Sequence, residues 1–88
     1  MSAAEAGPRV SRRFRLQWEE AQNAWVLLYP EGMVKLNQSA GEILRRCDGS
    51  RTEAAIVAEL EEAFGASGLA DDVANFLAMA RAQQWIET

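Results

Sequence analysis

The first half of the chain alternates apolar and polar residues with the two-residue period of β-strands. Phe14, Leu16 and Trp18 are separated by charged and amide side chains, which predicts a strand with one solvated face. The mostly polar stretch 20–23 predicts a hairpin connection, and every position of the following run, 24–29, is apolar. A strand that is apolar on both faces is usually central, so we expect 24–29 to be the middle strand of a sheet.

A turn and a short third strand come next. Pro30 presets φ for a turn, and we expect Gly32 at a position of positive φ in a three-residue hairpin loop. Residues 33–36 alternate again, so that Val34 and Leu36 face one way and Lys35 the other. Three consecutive strands predict an antiparallel meander, whose outer strands carry unpaired backbone groups unless something covers them.

After Asn37 the apolar positions recur every three or four residues, which predicts three short helices. The first follows an N-cap at Ser39 and runs to Cys47, the second opens in the capping-box sequence 50–53, and the third starts near Asp71 and Asp72. The fold class predicted is α+β: a winged-helix-like domain with a three-stranded antiparallel N-terminal sheet followed by three α-helices.

The periodicity and apolar content of the chain predict its domain organisation and its cellular location. Residues 1–8 lack periodicity and end in Gly-Pro, which predicts a flexible N-terminal tail before a single domain over 9–88. Trp85 and Ile86 are expected to return to the core of that domain. The chain has neither the roughly 18 apolar residues of a membrane span nor the apolar core of a secretory signal, so we expect a cytoplasmic protein without membrane contact.

The amino-acid composition excludes many catalytic mechanisms. The 88 residues contain no histidine and one cysteine, Cys47, which removes the commonest general base, the commonest metal ligand and every histidine-activated nucleophile. Cys47 shares a predicted helical stripe with Ile43 and Leu44, which indicates a small buried hydrophobe. We therefore expect a binding module, not an enzyme, with no metal and no cofactor.

Charge is distributed unevenly along this chain of net charge −4. Four arginines cluster near the N-terminus, at 9, 12, 13 and 15, whereas residues 52–80 hold six acids and no lysine or arginine. Acidic helices are repelled by phosphates, so nucleic acid is not the expected partner. A winged-helix nucleic-acid-binding protein remains the alternative function, because many domains of this shape bind nucleic acid.

The third predicted strand is an open edge with two interpretations. Its short length and Lys35 are typical protection against unwanted pairing. The same edge is suited to accept an extended peptide as an added strand, in which main-chain hydrogen bonds provide affinity and side-chain pockets provide selectivity.

Several segments together resemble the PqqD family of pyrroloquinoline quinone (PQQ) biosynthesis proteins. The matching residues are 26–32, Leu36-Asn37, Ser39-Ala40, Ile43-Leu44, 47–49, Thr52, Ile56, Leu60, Asp72-Val73 and Phe76-Leu77. The resemblance implies a peptide chaperone, a recognition element for ribosomally made and modified peptides (RiPPs). It implies no chemistry by the chain itself, which would bind the precursor peptide PqqA by β-strand addition and present it to the radical-SAM enzyme PqqE.

The resemblance also implies where the peptide lies, namely along the third strand and in the groove between that strand and the third helix. Carried over to this sequence, the contacts fall on Met33, Val34, Lys35 and Leu36 of the strand and on Val73, Phe76, Leu77 and Ala80 of the helix. Relatives commonly carry a glycine where this chain has Gln83-Gln84, which leaves the end of the third helix open. An unoccupied edge and groove also fit a second copy, so a homodimer that competes with PqqA is expected.

Overall fold

A three-stranded antiparallel sheet followed by three helices forms most of the structure, a computed structural model that describes residues 7–87. The elements are β1 (Arg9–Val10), β2 (Arg15–Glu19), β3 (Ala24–Tyr29), β4 (Gly32–Lys35), α1 (Gln38–Leu44), α2 (Glu53–Phe64), α3 (Ala70–Ala82) and β5 (Ile86–Glu87). The order confirms the predicted α+β, winged-helix-like class. Of the helices described, none combines the length and the apolarity needed to cross a bilayer.

The sheet has the strand order β2-β3-β4, so the prediction of a central strand at 24–29 is confirmed. Leu27 is fully buried and lies opposite Leu16 on one side and Val34 on the other. The predicted loop between β3 and β4 is wrong, because Tyr29 pairs directly with Gly32 and only two residues connect the strands. Gly32 is therefore the first residue of β4, and its φ is not positive.

Side chains cap α1 and α2, at positions that differ from the predicted ones. Asn37, not Ser39, caps α1: its side-chain oxygen accepts a 2.8 Å hydrogen bond from the Ala40 amide. Because the cap lies two residues earlier, α1 starts at Gln38. It ends at Leu44, ahead of the predicted end at Cys47, because the amides of Arg46 and Cys47 donate to the carbonyls three residues back, those of Ile43 and Leu44. The predicted capping box at 50–53 is wrong, because Thr52 caps α2: its side-chain oxygen accepts a 3.1 Å hydrogen bond from the Ala55 amide. Gly65 ends α2 in the left-handed conformation, with φ of 61°.

The core lies between the sheet and the helices. Its buried members are Leu27, Leu36, Ala40, Ile43, Leu44, Cys47, Ile56, Leu60, Val73, Leu77, Ala80 and Ile86. Gly41 lets α1 approach β3, since a Cβ at this position would lie 2.6 Å from Cδ1 of Trp25. Trp85 packs against the edge of the core and is only partly buried, whereas Ile86 is buried as predicted.

The N-terminal segment is held against the loop between α1 and α2. The Gly7 amide donates to the Gly49 carbonyl at 3.1 Å, and the Gly49 amide donates to the Pro8 carbonyl at 3.0 Å. A Cβ at Gly7 would lie 1.6 Å from the Arg51 carbonyl oxygen, so only glycine fits. Gly7 and Pro8 are thus buried rather than part of a flexible tail, and positions 1–6 of that predicted tail lie outside the described residues.

A network of ion pairs fixes the same loop. The Arg46 side chain is 11% exposed, and it lies 2.7 Å from a Glu42 carboxylate oxygen and 3.1 Å from one of Glu59. Arg51 donates to the other Glu59 oxygen at 2.8 Å, and this hydrogen bond holds the pKa of the Glu59 carboxyl below its usual value. Arg46 is therefore a largely buried charge with two carboxylate partners, as a buried cation requires.

Cys47 is the free cysteine of the core, and 3% of its surface is exposed. Burial raises the pKa of its thiol to about 11, and the sulfur lies 3.3 Å from the Ile43 carbonyl oxygen. Because the thiolate is the reactive form, the thiol is unreactive at neutral pH unless the domain opens.

We expect iodoacetamide to alkylate Cys47 in the native protein at least about a hundredfold more slowly at pH 7.5 than in the urea-unfolded chain. The measurement is mass spectrometry of timed samples with and without urea. Comparable rates in the two states would contradict a buried structural thiol.

The helix α3 ends in a turn at Gln84. Gln84 has φ of 64°, a left-handed conformation that is unfavourable for a residue with a Cβ. The turn allows the Trp85 amide to donate to the Ala80 carbonyl at 2.8 Å and directs the chain into β5. Helix α3 therefore stops at Ala82, and Gln84 adopts the backbone conformation that is typical of glycine.

Gln84→Gly is expected to raise the free energy of unfolding by about 0.5–1 kcal/mol, because glycine adopts positive φ without strain. The matched control is Gln83→Gly, since Gln83 has φ of −83° and glycine should destabilise it. Urea unfolding followed by circular dichroism measures both variants. Equal destabilisation by the two glycines would contradict the strained turn.

Candidate functional site

The strand β4 is an outer strand with one side open. Its inner side pairs with β3, and within residues 7–87 no strand pairs with its outer side. The predicted open edge is therefore present in this part of the chain. An open edge exposes alternate backbone amides and carbonyls that a further strand can bind.

Met33 and Lys35 carry the outward-facing backbone groups of β4. The Leu36 amide donates to the Trp25 carbonyl at 3.0 Å, so position 36 faces the sheet. Successive residues of a strand direct their backbone groups to opposite sides, and Val34 therefore also faces β3, where it lies opposite Leu27. Two amides and two carbonyls, those of Met33 and Lys35, remain for a partner strand.

A groove runs along the open side of β4, between this strand and α3. It forms a cavity of about 280 Å³ lined by Val34, Lys35, Leu36, Asn37, Ser39 and Ala40 on one side and by Phe76, Met79 and Trp85 on the other. Met79 is 39% exposed and Phe76 is half-buried, so both present apolar surface to the groove. A strand added to β4 would therefore lie beside apolar side chains of α3.

A second cavity lies beside the groove, between the three helices. It measures about 250 Å³ and is lined by Ser39, Ile43, Leu60, Phe64, Leu69, Asp72, Val73 and Phe76. Ser39 and Phe76 line both cavities, so the two lie next to each other. Phe64 lies at this end and is 41% exposed, which extends the apolar surface beyond the strand.

The structure brings together some of the predicted contact residues and not others. Val34, Lys35, Leu36 and Phe76 line the first cavity, and Val73 lines the second although it is 2% exposed. Met33 is 49% exposed and shares its sheet face with Leu28, so its backbone, not its side chain, borders the groove. Which residues contact a ligand stays a prediction.

Leu77 and Ala80 are core residues with no exposed surface, and they line neither cavity. The buried face of α3 consists of positions 73, 77 and 80, whereas Phe76 and Met79 are on the adjacent face. Met79, Trp85, Phe64 and Leu69 were not among the predicted contacts. The spacing of Met79 from Phe76, one helical turn, is the signal in the sequence that indicates a second apolar face.

The site is suited to binding by shape and main-chain hydrogen bonds. Asp72 lines the second cavity, whereas Lys35 shares its sheet face with Met33 and therefore borders the first cavity with its backbone. In the described range 7–87, no group of three or more histidine, cysteine and carboxylate side chains is placed to hold a metal ion.

Comparison with known proteins gives consistent results. The family model for coenzyme PQQ synthesis protein D (PqqD) matches residues 24–86. A protein of Azotobacter vinelandii named PqqA binding protein is 59% identical over 81 residues, which are 91% of this chain and 88% of that protein. Proteins with the same name from Pseudomonas paraeruginosa and Klebsiella pneumoniae are 53% and 55% identical over 99% and 85% of this chain, and these regions cover 96% and 83% of the two proteins.

A solved structure has the same fold over the whole chain. It is the solution NMR structure of the PqqD part of Methylobacterium extorquens PqqCD, described as a functional, stand-alone RiPP recognition element. The TM-score is 0.76 at 29% sequence identity, and the match covers 100% of this chain and 95% of the other. The family model and the high identity to these relatives establish that the chain belongs to the PqqD family of coenzyme PQQ synthesis proteins.

Proposed function

We propose that this chain is a peptide chaperone of PQQ synthesis that binds the precursor peptide PqqA as an added strand on β4. The observation that carries the proposal is the open edge of β4, where the outward backbone groups of Met33 and Lys35 adjoin an apolar groove. Relatives named PqqA binding protein support the choice of peptide.

The energetics require both the edge and the groove. Four main-chain hydrogen bonds contribute about 0.5–1.5 kcal/mol each, so the edge alone provides roughly 2–6 kcal/mol. Micromolar affinity needs about 8 kcal/mol, and association has its own entropic cost. Apolar side chains of the peptide must therefore bury surface against Phe76 and Met79, which line the groove.

The proposed role is non-catalytic. The chain holds PqqA in one register and presents it to PqqE, which performs the chemistry, and it raises the effective concentration of the peptide at that enzyme. A chain without histidine and with a protonated, buried Cys47 offers neither an activated nucleophile nor the commonest general base. The proposal places the protein in the cytoplasm, where an unpaired cysteine is typical.

The test is calorimetric titration with purified PqqA, compared with a scrambled peptide of the same composition. Saturable binding of PqqA alone, with the mass of the peptide unchanged after prolonged incubation, is expected. Equal binding of both peptides, or conversion of PqqA by the chain itself, would contradict the proposal. Adding the chain to PqqE and PqqA should accelerate peptide modification, and an unchanged rate would contradict presentation.

A further inference from the structure

The second cavity has mostly apolar walls and one acidic residue. Its volume of about 250 Å³ is below the roughly 300–1,000 Å³ of small-molecule pockets, so it has room for one large side chain. Among the residues in 7–87 that line it, Asp72 is the one that is ionisable, and it is exposed. The cavity therefore combines apolar walls with a carboxylate that a ligand can reach.

Asp72 lies on the same face of α3 as the apolar residues of the groove. Positions 72, 76 and 79 are four and three residues apart, which places Asp72, Phe76 and Met79 in one row along the helix. Phe76 and Met79 line the first cavity, and Asp72 lines the second, closer to the start of α3. A peptide that follows this row from Met79 meets apolar side chains first and the carboxylate last.

Asp72 has no ion-pair partner within residues 7–87. The surrounding segment 52–80 holds six acids and no lysine or arginine. Of these acids, Glu59 is paired with two arginines of the loop between α1 and α2. A large apolar side chain with a cationic neighbour is therefore the chemistry that complements this cavity.

The position of Asp72 in the first turn of α3 does not by itself explain its place at the cavity. The N-cap residue Leu69 makes no side-chain hydrogen bond to the helix, so the first-turn acids Asp71 and Asp72 both interact favourably with the helix dipole. Asp71 is also exposed, but it lines neither cavity. The two aspartates thus share one role at the helix end and differ in their access to the cavity.

The direction of the added strand decides which part of the peptide reaches the second cavity. β4 runs from Gly32 to Lys35, and the chain then continues to Ser39, which lines both cavities. The sheet is antiparallel throughout, and a strand added in the same manner runs from the Lys35 end of β4 toward Gly32. The residues that precede this strand in the peptide therefore lie at the second cavity.

We propose that the segment of PqqA that precedes the added strand places one large apolar side chain in the second cavity and a cationic group beside Asp72. This inference rests on the proposed function and adds an anchor outside the strand. The cationic group is a lysine or arginine side chain or the terminal ammonium of the peptide. Phe64, which is 41% exposed at this cavity, loses exposed surface when the apolar side chain binds.

Calorimetric titration with PqqA compares the two aspartates. Asp72→Lys should weaken binding about three- to tenfold, whereas Asp71→Lys should change it by less than about twofold. Urea unfolding should show a similar loss of stability in both, because both reverse a charge at the start of α3. Equal affinities of the two variants for PqqA would overturn the inference, while binding by the wild type would keep the proposed function. A wild type that does not bind PqqA would contradict the proposed function itself.

Peptide variants identify the source of the cation. Acetylation of PqqA removes the terminal ammonium, and glutamine in place of lysine or arginine before the strand removes a side-chain charge. One of these changes should weaken binding to the wild type about threefold or more and have little further effect in Asp72→Asn, which already lacks the carboxylate. Peptide changes that leave the affinity of the wild type unaltered would contradict a cation beside Asp72.

Phe64→Ala tests the apolar half of the anchor. It should weaken PqqA binding about three- to tenfold, because the peptide side chain loses the surface that covers it. Trp18→Ala is the matched control, since Trp18 is also 41% exposed and lines neither of the two cavities. Equal effects of the two substitutions on binding would contradict an apolar anchor in the second cavity.

Paramagnetic labelling tests the direction of the peptide. Leu69 lines the second cavity, and Gly32 lies at the opposite end of β4. A nitroxide near the N-terminus of PqqA should broaden the NMR signal of the Leu69 amide more than that of the Gly32 amide. The reverse pattern would show that the segment following the strand reaches the second cavity, and it would overturn the inference.

Discussion

Lys35→Pro is expected to weaken PqqA binding by at least about tenfold and to leave the domain folded. The amide of Lys35 points away from the sheet, so proline removes a hydrogen bond to the peptide and none to β3. The pyrrolidine ring also occupies the space through which an added strand approaches. Lys35→Ala is the matched control, because it removes the same side chain and keeps the amide.

Val34→Pro, one residue away, should instead lower the stability of the domain. Its amide faces β3, and proline there leaves the Leu27 carbonyl without its donor, which costs about 1–3 kcal/mol before any strain of the ring. Thermal unfolding and calorimetry on the three variants separate the effects. Unchanged binding by Lys35→Pro, or equal loss of stability in both proline variants, would show that the edge is not used as described.

Leu77→Ala is expected to lower the free energy of unfolding by about 2–5 kcal/mol, because this side chain has no exposed surface and its removal leaves a cavity in the core. The family resemblance assigns Leu77 to the peptide contacts, whereas the structure buries it. At a temperature where the variant is still folded, its affinity for PqqA should be close to that of the wild type.

Met79→Ala is the contrasting variant on the same helix. Met79 is 39% exposed and lines the groove, so stability should change by no more than about 0.5 kcal/mol while PqqA binding weakens about three- to tenfold. Urea unfolding and calorimetric titration measure the two quantities. The division of α3 into a core face and a groove face would be wrong in either of two cases. One is that Leu77→Ala weakens PqqA binding without lowering the free energy of unfolding; the other is that Met79→Ala lowers the free energy of unfolding without weakening PqqA binding.

The strands and the fold class were predictable from the sequence, because the two-residue alternation of apolar positions and the apolar run of the central strand are local features. The run 24–29 indicated its own central position, and the open edge followed from the order of the strands. The direction of the β4 amides was not predictable, because it depends on the pairing of Tyr29 with Gly32, and the sequence predicted a longer loop.

The helical half of the site was predictable only in part. Positions 73, 76, 77 and 80 form one apolar stripe in the sequence, but the rotation of α3 against the sheet decides which of them face the core. That rotation depends on packing between distant elements, such as the contact of β5 with β1 after the turn at Gln84. Trp85 lines the groove for the same reason, since the turn redirects the chain after α3.

The central claim is that PqqA adds to β4 as a strand, and amide hydrogen exchange by NMR tests it most directly. Without peptide, the amides of Met33 and Lys35 should exchange quickly and that of Val34 slowly, because only Val34 is bonded within the sheet. With saturating PqqA, the amides of Met33 and Lys35 should become protected by about tenfold or more while the amides of β2 stay unchanged. Exchange at Met33 and Lys35 that is the same with and without bound peptide would contradict the claim.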